Sequence, residues 1–316
     1  MLKRLQFFRD RPIFDPLTQV VRLLKPRALL WKQLDTRGPW AIRYPSLEDT
    51  VFVLVTEGSA RLQLPDRPTR TMVPGDFLLM TEPKEWMMGD SEATEPIRFQ
   101  PPQTNPSARS IVTDPSSTAP TFKLLGGRFS FDRTHLGLLK EILPSVVEIG
   151  FATSGATRVA SLLKMLGTEA WEARPGSALV IERLLEILLI EVIRYQDEEH
   201  ANANTGLIAG LADPQIAACL RALHEDPSRD WSVATLAKAA GASRSVFAQR
   251  FCEVVGLPPM QYLLKWRMAL AKEMIGQGVS ISEIAFACGY QSASGFSVAF
   301  ARHVGCPPSH LRPTQN

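Results

Sequence analysis

The sequence predicts a multidomain α+β protein: an N-terminal antiparallel β-barrel or sandwich followed by helices, then an all-helical C-terminal third. Three observations carry this. Short runs rich in β-branched and aromatic residues recur between Gly and Pro residues over the first ~130 positions. Helical periodicity takes over from His135 onward. A long internal repeat occupies the part after Leu207.

The expected strands are ALLWKQLD (28–35), WAIRYP (40–45), TVFVLVTEG (50–58), ARLQLP (60–65), GDFLLMTE (75–82) and FKLLGGRFSFD (122–132). Gly38-Pro39, Pro45, Gly58, Pro65 and Pro74-Gly75 punctuate them as turns. Residues 100–120 are rich in Pro, Ser, Thr and Asn and read as a loop. His135–Leu143 is a short helix stopped by Pro144, and Ala156–Trp171 is amphipathic. Pro175-Gly176-Ser177 opens a longer helix to about Tyr195. In its second half Leu189, Ile190 and Ile193 cover what should be the wet side, so the helix needs more than one packing partner. Core burial and a subunit interface both satisfy that need, and the second is the expectation adopted. The polar run QDEEHANANTG (196–206) is the natural boundary. The expected division is a domain over 1–200, with its barrel at about 15–132 and its helices at about 133–198. A linker at 201–206 and a second domain over 207–316 follow.

Composition bounds the function. The chain of 316 residues is 45% apolar and 21% charged, ordinary for a soluble globular protein. Its net charge is +3, and the excess lies wholly after residue 206, where ten Lys/Arg face seven Asp/Glu. That distribution favours a nucleic-acid partner for the C-terminal third. The N-terminus has no sustained apolar run, and charged residues interrupt 177–195, so neither a secretory signal nor a membrane span is expected. Cys219, Cys252, Cys288 and Cys306 form no CxxC pair and read as reduced thiols of a cytoplasmic protein.

The repeat pairs VATLAKAAGASRSVFAQRFCEVVGLPPMQYL (233–263) with ISEIAFACGYQSASGFSVAFARHVGCPPSHL (281–311). Leu236-Ala237 matches Ile284-Ala285, and Gly241 matches Gly289. After one extra residue in the second turn, Phe247 matches Phe296, Phe251 matches Phe300 and Pro258-Pro259 matches Pro307-Pro308. Each copy has the form of a helix-turn-helix: a short apolar-faced helix, a glycine where the chain must leave with positive φ, a serine N-cap, and a second helix. The units span about 233–256 and 281–305, joined by a helix over 260–275. The second helix buries its Phe pair at i, i+4 and turns a slim polar face outward, as a reading helix in a major groove requires. Two such helices on one joint could stand about 34 Å apart, one turn of DNA.

Residues 213–313 resemble the C-terminal domain of AraC/XylS regulators. The likeness is carried by DPQIAACLRALHEDP, LAKAAGASRSVFAQRF, GLPPMQYLLKWRM, EIAFACGYQSASGFSVAF and GCPPSHLRP. It implies sequence-specific binding to double-stranded operator DNA and control of transcription, with RNA polymerase as a candidate partner. The implied contacts are Arg244, Ser245, Ala248, Gln249 and Arg250 in the first unit, and Gln291, Ser292, Ser294, Ser297 and Arg302 in the second. Gln249 and Val298 stand where the family commonly has arginine. Gln249 can still read adenine in a bidentate way, whereas Val298 offers only an apolar contact, for example to a thymine methyl. The second unit is therefore expected to anchor phosphates more and read bases less, with Arg302 and Ser292 in that role.

The N-terminal part resembles the cupin-like sensor domain often fused to such units, through DPLTQVVRLLKPRALLWKQLD, WAIRYP, FVLVTEGSARLQL, MVPGDFLLM and GGRFSFD. The resemblance implies a small-molecule effector and a homodimer formed through this domain. Arg43, Tyr44, Phe52 and Trp86 are the pocket candidates, with plain packing as the competing role for each. No histidine precedes His135 and no histidines stand at metal-ligand spacing, so no metal ligands and no cofactor are expected. Glu57, Asp76, Glu82 and Glu85 read as turn or surface carboxylates. The competing reading is a cupin-type enzyme fused to a DNA-binding domain, or an alkylation-repair enzyme with the same repeat. The first lacks metal-spaced histidines, and the second lacks a cysteine before Cys219.

Overall fold

A computed structural model of the chain describes residues 15–92, 94–99, 109–112, 121–150, 157–172, 174–200 and 205–311. They form two compact units, and these do not follow a single cut in the sequence. One unit comprises residues 25–131 and 139–199; the other comprises the chain from His200 onward together with residues up to Leu24 and the segment Asp132–Leu138.

The first unit holds eleven strands among the described residues: β1 (Arg27–Thr36), β2 (Ala41–Tyr44), β3 (Thr50–Glu57), β4 (Ala60–Gln63), β5 (Arg70–Met72), β6 (Phe77–Met80), β7 (Trp86–Gly89), β8 (Ile97–Arg98), β9 (Arg109–Val112), β10 (Phe122–Ser130) and β11 (Val146–Ile149). Their ladders make two sheets rather than one closed ring, in the orders β11-β6-β3-β10-β1-β9 and β5-β4-β7-β2-β8. The shared core runs between them. Val51, Val53, Val55, Leu78, Met80, Phe122 and Leu124 of the larger sheet pack with Ile42, Tyr44, Leu62, Met72, Trp86 and Met88 of the smaller. This is the sandwich arrangement, in which the inward residues of two sheets interdigitate.

The larger sheet is buried on its other face too, which explains why TVFVLV does not alternate: all six positions from Thr50 to Val55 are buried. Phe52 lies on that second face with Phe77 and Phe129. Its ring occupies the space left by Gly127, where a Cβ would come within 2.4 Å of it. Helices α3 (Thr157–Glu172) and, up to Glu199, α4 (Ser177–His200) belong to the same unit, as does α2 (Leu136–Ile142) from Leu139 onward. Trp171 on α3 donates its indole N–H to the Thr56 hydroxyl at 3.2 Å, fixing that helix over β3.

Helix α4 corrects one expectation. Leu188, Leu189, Val192 and Ile193 are all buried within the single chain, so the second half is core rather than seam. The exposed apolar side chains are instead Leu179, Val180 and Ile187 on α4 and Met165 on α3. The expected loop at 100–120 holds strand β9, which pairs in parallel with β1; its remaining positions lie outside the described residues, as do 201–204 of the expected linker.

The second unit is helical. Helix α1 (Pro16–Leu24) was read from sequence as the start of the barrel. It is a helix because Asp15 caps it, accepting from the Thr18 N–H at 3.0 Å, and because Leu17, Val20, Val21 and Leu24 form one buried stripe. A 3₁₀ turn over 133–135 leads into α2. Then come α5 (Leu207–Ala212), α6 (Pro214–Glu225), α7 (Val233–Ala239), α8 (Arg244–Val255), α9 (Pro259–Gly276), α10 (Ile281–Ala287), α11 (Ala293–Val304) and a 3₁₀ turn over 308–311. No helix among the described residues is long and apolar enough to cross a membrane.

Candidate nucleic-acid interface

The two copies of the repeat fold alike, and local chemistry sets each boundary. Ser232 and Ser280 open α7 and α10 with reciprocal capping boxes, to Thr235 and Glu283. Gly241 and Gly289 follow these helices at φ +66° and +77°, the left-handed region that glycine enters at least cost. Ser243 and Ser292 then cap α8 and α11, accepting from the Val246 and Gly295 N–H groups at 3.4 and 3.1 Å. Phe247 and Phe251, and in the second copy Phe296 and Phe300, are buried and hold each second helix against its own unit. Gly256 and Gly305 end both helices in the left-handed conformation.

The buried Phe pairs turn the opposite faces outward. On α8 that face carries Arg244, Ser245, Val246 and Gln249, all exposed, with Ala248 half-buried beside them. On α11 it carries Ser294, Gly295, Val298 and Arg302, with Val298 70% exposed. Gln291 and Ser292 are exposed at its start, and Ser297 is half-buried and donates to the Ala293 carbonyl at 2.7 Å. Exposure of Val246 and Val298 has no packing explanation within the unit, whereas a slim apolar ridge suits a base-lined groove.

Two candidates have protein partners that alter their reading. The Gln249 side-chain amide donates to Glu253 at 2.8 Å, one helical turn on. In the second copy the position of Glu253 is Arg302, so the same point of the face changes sign between copies. Arg250 is paired. Its guanidinium binds the Asp213 carboxylate at 2.6 and 2.9 Å, and Asp213 is the N-cap of α6. Arg250 ties α8 to α6 and its side chain is exposed.

The sequence reading missed the residue that joins the copies. Arg267 on α9 donates to the carbonyls of Pro227 and Arg229 at 2.7 and 3.0 Å, ahead of the first copy. Its guanidinium lies where a Cβ on Gly289 would come within 2.5 Å, at the turn of the second copy. The Cys288 thiol donates to the Arg267 carbonyl at 3.4 Å. Burial pushes the Cys219 thiol up to about 11 and Cys288 up to about 12, so both are inert core groups. A second buried polar node stands at His224, stacked on Trp266 at 4.0 Å. Its Nδ1 faces the Gln19 carbonyl oxygen of α1 at 3.1 Å, and its Nε2 faces the Tyr262 hydroxyl at 2.7 Å. Nδ1 therefore carries the proton, and Nε2 accepts from tyrosine. Burial pulls His224 down to about 3.

In the sheet unit the four pocket candidates do not converge. Tyr44 and Trp86 stack at 3.9 Å inside the core, Phe52 lies on the far face of the larger sheet, and Arg43 is exposed and paired with Glu85 at 3.0 Å. Alternation along β2 separates Arg43 from Tyr44. The carboxylates have ordinary roles: Glu57 pairs with Lys123, Glu82 with Lys140, Glu85 with Arg43, and Asp76 accepts from the Val73 N–H in a turn.

Comparison with known proteins places this geometry. A cupin family model matches residues 15–196, and a helix-turn-helix domain model matches 236–314. A Streptomyces lividans protein described as an AraC-like transcription regulator is 35% identical over 301 residues, covering 94% of this chain and 98% of that one. The HTH-type transcriptional regulator AlkR of Acinetobacter baylyi is 28% identical over 88% of this chain and 92% of its own. Among solved structures, the DNA-binding domain of the global transcriptional factor AdpA, in complex with a target DNA, is 31% identical over 32% of this chain and 90% of its own, with a TM-score of 0.30. The duplicated reading unit and the near full-length relative agree: the chain belongs to the AraC-like family of transcription regulators, a sequence-specific DNA-binding protein with a cupin domain ahead of its helix-turn-helix domain.

Proposed function

We propose that α8 and α11 enter successive major grooves of one operator and divide the work between them. The observation that carries this is the contrast between the two exposed faces. In α8 Gln249 offers an amide for adenine and Arg244 a phosphate contact, with Ser245 and Ala248 lining the approach. In α11 the matching position is Val298, suited to a thymine methyl, while Gln291, Ser292, Ser294, Ser297 and Arg302 supply hydroxyls, an amide and a cation for the backbone. The first unit reads bases and the second mainly anchors.

Binding titrations over a range of salt test this. Arg244→Ala weakens binding to all sequences and lowers the slope of log K against log salt by about 0.9. Gln249→Ala costs about 1–3 kcal/mol, confined to one base pair. Operator affinity unchanged in both variants overturns the assignment.

The same reading makes the cupin unit the controlling part, with a small-molecule effector and no chemistry of its own. It is supported by the carboxylates engaged in pairs and turns and by relatives described as regulators. Self-association through α3 and α4 is supported by the exposed Met165, Leu179, Val180 and Ile187. Such a dimer would place paired units on an operator in the cytoplasm, where RNA polymerase is within reach.

A further inference from the structure

The helical unit gathers three metal-ligating side chains that DNA binding does not use. Asp132 and His135 come from the turn between β10 and α2, and Glu273 comes from α9, the helix that joins the two reading units. Their ligand atoms all lie within 4.8 Å of one another. His135 Nε2 and Glu273 Oε2 stand 3.6 Å apart. Metal–nitrogen and metal–oxygen bonds of about 2.0–2.2 Å put neighbouring ligand atoms roughly 3–4 Å apart, so small side-chain rotations close the set around one ion.

Two further features fit a built site. The His135 side chain is almost wholly buried and that of Glu273 is 12% exposed, so the pair is held away from bulk water. Each carboxylate has one oxygen engaged by a donor outside the trio. Asp132 Oδ1 accepts from the Thr134 N–H at 2.9 Å, and Glu273 Oε1 accepts from the Gln277 amide at 2.8 Å. Such outer hydrogen bonds orient ligating carboxylates.

We propose that Asp132, His135 and Glu273 bind one divalent transition-metal ion of the zinc class, which clips the 132–138 turn to α9. One imidazole with two carboxylates selects a borderline cation over Mg²⁺ or Ca²⁺, which prefer all-oxygen sets. Three protein ligands leave room for a water as the fourth. The ion would fix this turn on the helix that spaces the two reading units. It lies outside the sheet core.

The test is Zn²⁺ binding to the full-length chain by titration calorimetry, with Co²⁺ absorption as a report of the ligands. One equivalent binds, and Co²⁺ gives ligand-field bands without sulfur charge transfer. His135→Gln and Glu273→Gln each weaken binding by more than ~100-fold, because losing even an outer partner costs about 10–100-fold. Circular dichroism verifies that each variant is folded; if His135→Gln is not, Glu273→Gln carries the test alone. Thermal unfolding of the wild type shifts upward with Zn²⁺, and that shift vanishes in Glu273→Gln. Absence of saturable binding, undiminished binding in a folded variant, or a sulfur–cobalt band pointing to Cys252 or Cys306 overturns the site.

Discussion

Replacing Gly289 by alanine, with Gly241→Ala as its partner, separates two costs at equivalent turns of the repeat. Both glycines sit in the left-handed region, at φ +77° and +66°. An alanine there costs about 1–2 kcal/mol from its Cβ alone. At Gly241 nothing lies within 4 Å of an added Cβ, so that is the whole expected loss. At Gly289 the added Cβ meets Arg267 Nη2 at 2.5 Å and the Ser228 carbonyl oxygen at 2.6 Å. The guanidinium must move, and it carries hydrogen bonds to the Pro227 and Arg229 carbonyls. Hydrogen bonds to a charged group contribute about 1.5–3 kcal/mol each. Losing or weakening one adds that amount, so Gly289→Ala costs about 2.5–5 kcal/mol in total. Urea unfolding of both variants measures the difference directly. Repeating Gly289→Ala in an Arg267→Ala background shrinks its cost, leaving the strain and the contact with the Ser228 carbonyl. Footprinting should show protection lost first over the half-site of the second unit. Equal destabilisation by the two glycine substitutions would refute the role given to Arg267.

Three further outcomes follow from particular residues. His224 is neutral and buried with its value lowered to about 3 from about 6.5, so between those values the unfolded chain binds a proton that the folded chain excludes; stability therefore falls as pH drops below about 6.5, by up to about 1.4 kcal/mol per pH unit, and His224→Gln flattens that dependence in urea titrations across pH. Arg250→Ala, which breaks the pair with Asp213, changes stability by about 1 kcal/mol or less and leaves the salt slope of DNA binding unaltered; a slope reduced as in Arg244→Ala would return Arg250 to the interface. Ile193→Asp places a charge in the core and unfolds the sheet unit, whereas Ile187→Asp, on the exposed face of α4, leaves the fold intact and yields monomers by light scattering; a wild-type chain that is monomeric at high micromolar concentration removes the dimer reading.

The helix-turn-helix units were legible because each rests on local rules repeated twice. Serine caps, a glycine at positive φ and a Phe pair at i, i+4 need only a few residues of sequence to specify them. Helix α1 was missed although Asp15 and the 17, 20, 21, 24 stripe signal it, because the surrounding segment was assigned whole to the strand region. The pocket candidates lie apart for a different reason. Phe52 and Tyr44 look alike in sequence, and only the register of β3 against β10 and of β2 against β7 puts them on different faces.

By itself the sequence determined the elements whose causes are local or periodic: the strand-rich cupin part, the duplicated reading units, their caps and their buried Phe pairs. It also determined the exposed chemistry of Gln249 and Val298, since the helical phase of the Phe pairs dictates which residues turn outward. Only the tertiary structure decided which distant groups meet. Arg267 reaches under Gly289, Arg250 is taken by Asp213 across 37 positions, and His224 finds Gln19 across 205. It alone brought Asp132 and His135 to Glu273 and assigned α1 to the helical unit. The physical reason is that a side-chain pairing across a long loop depends on how packed elements are oriented, and no short stretch of sequence encodes that orientation.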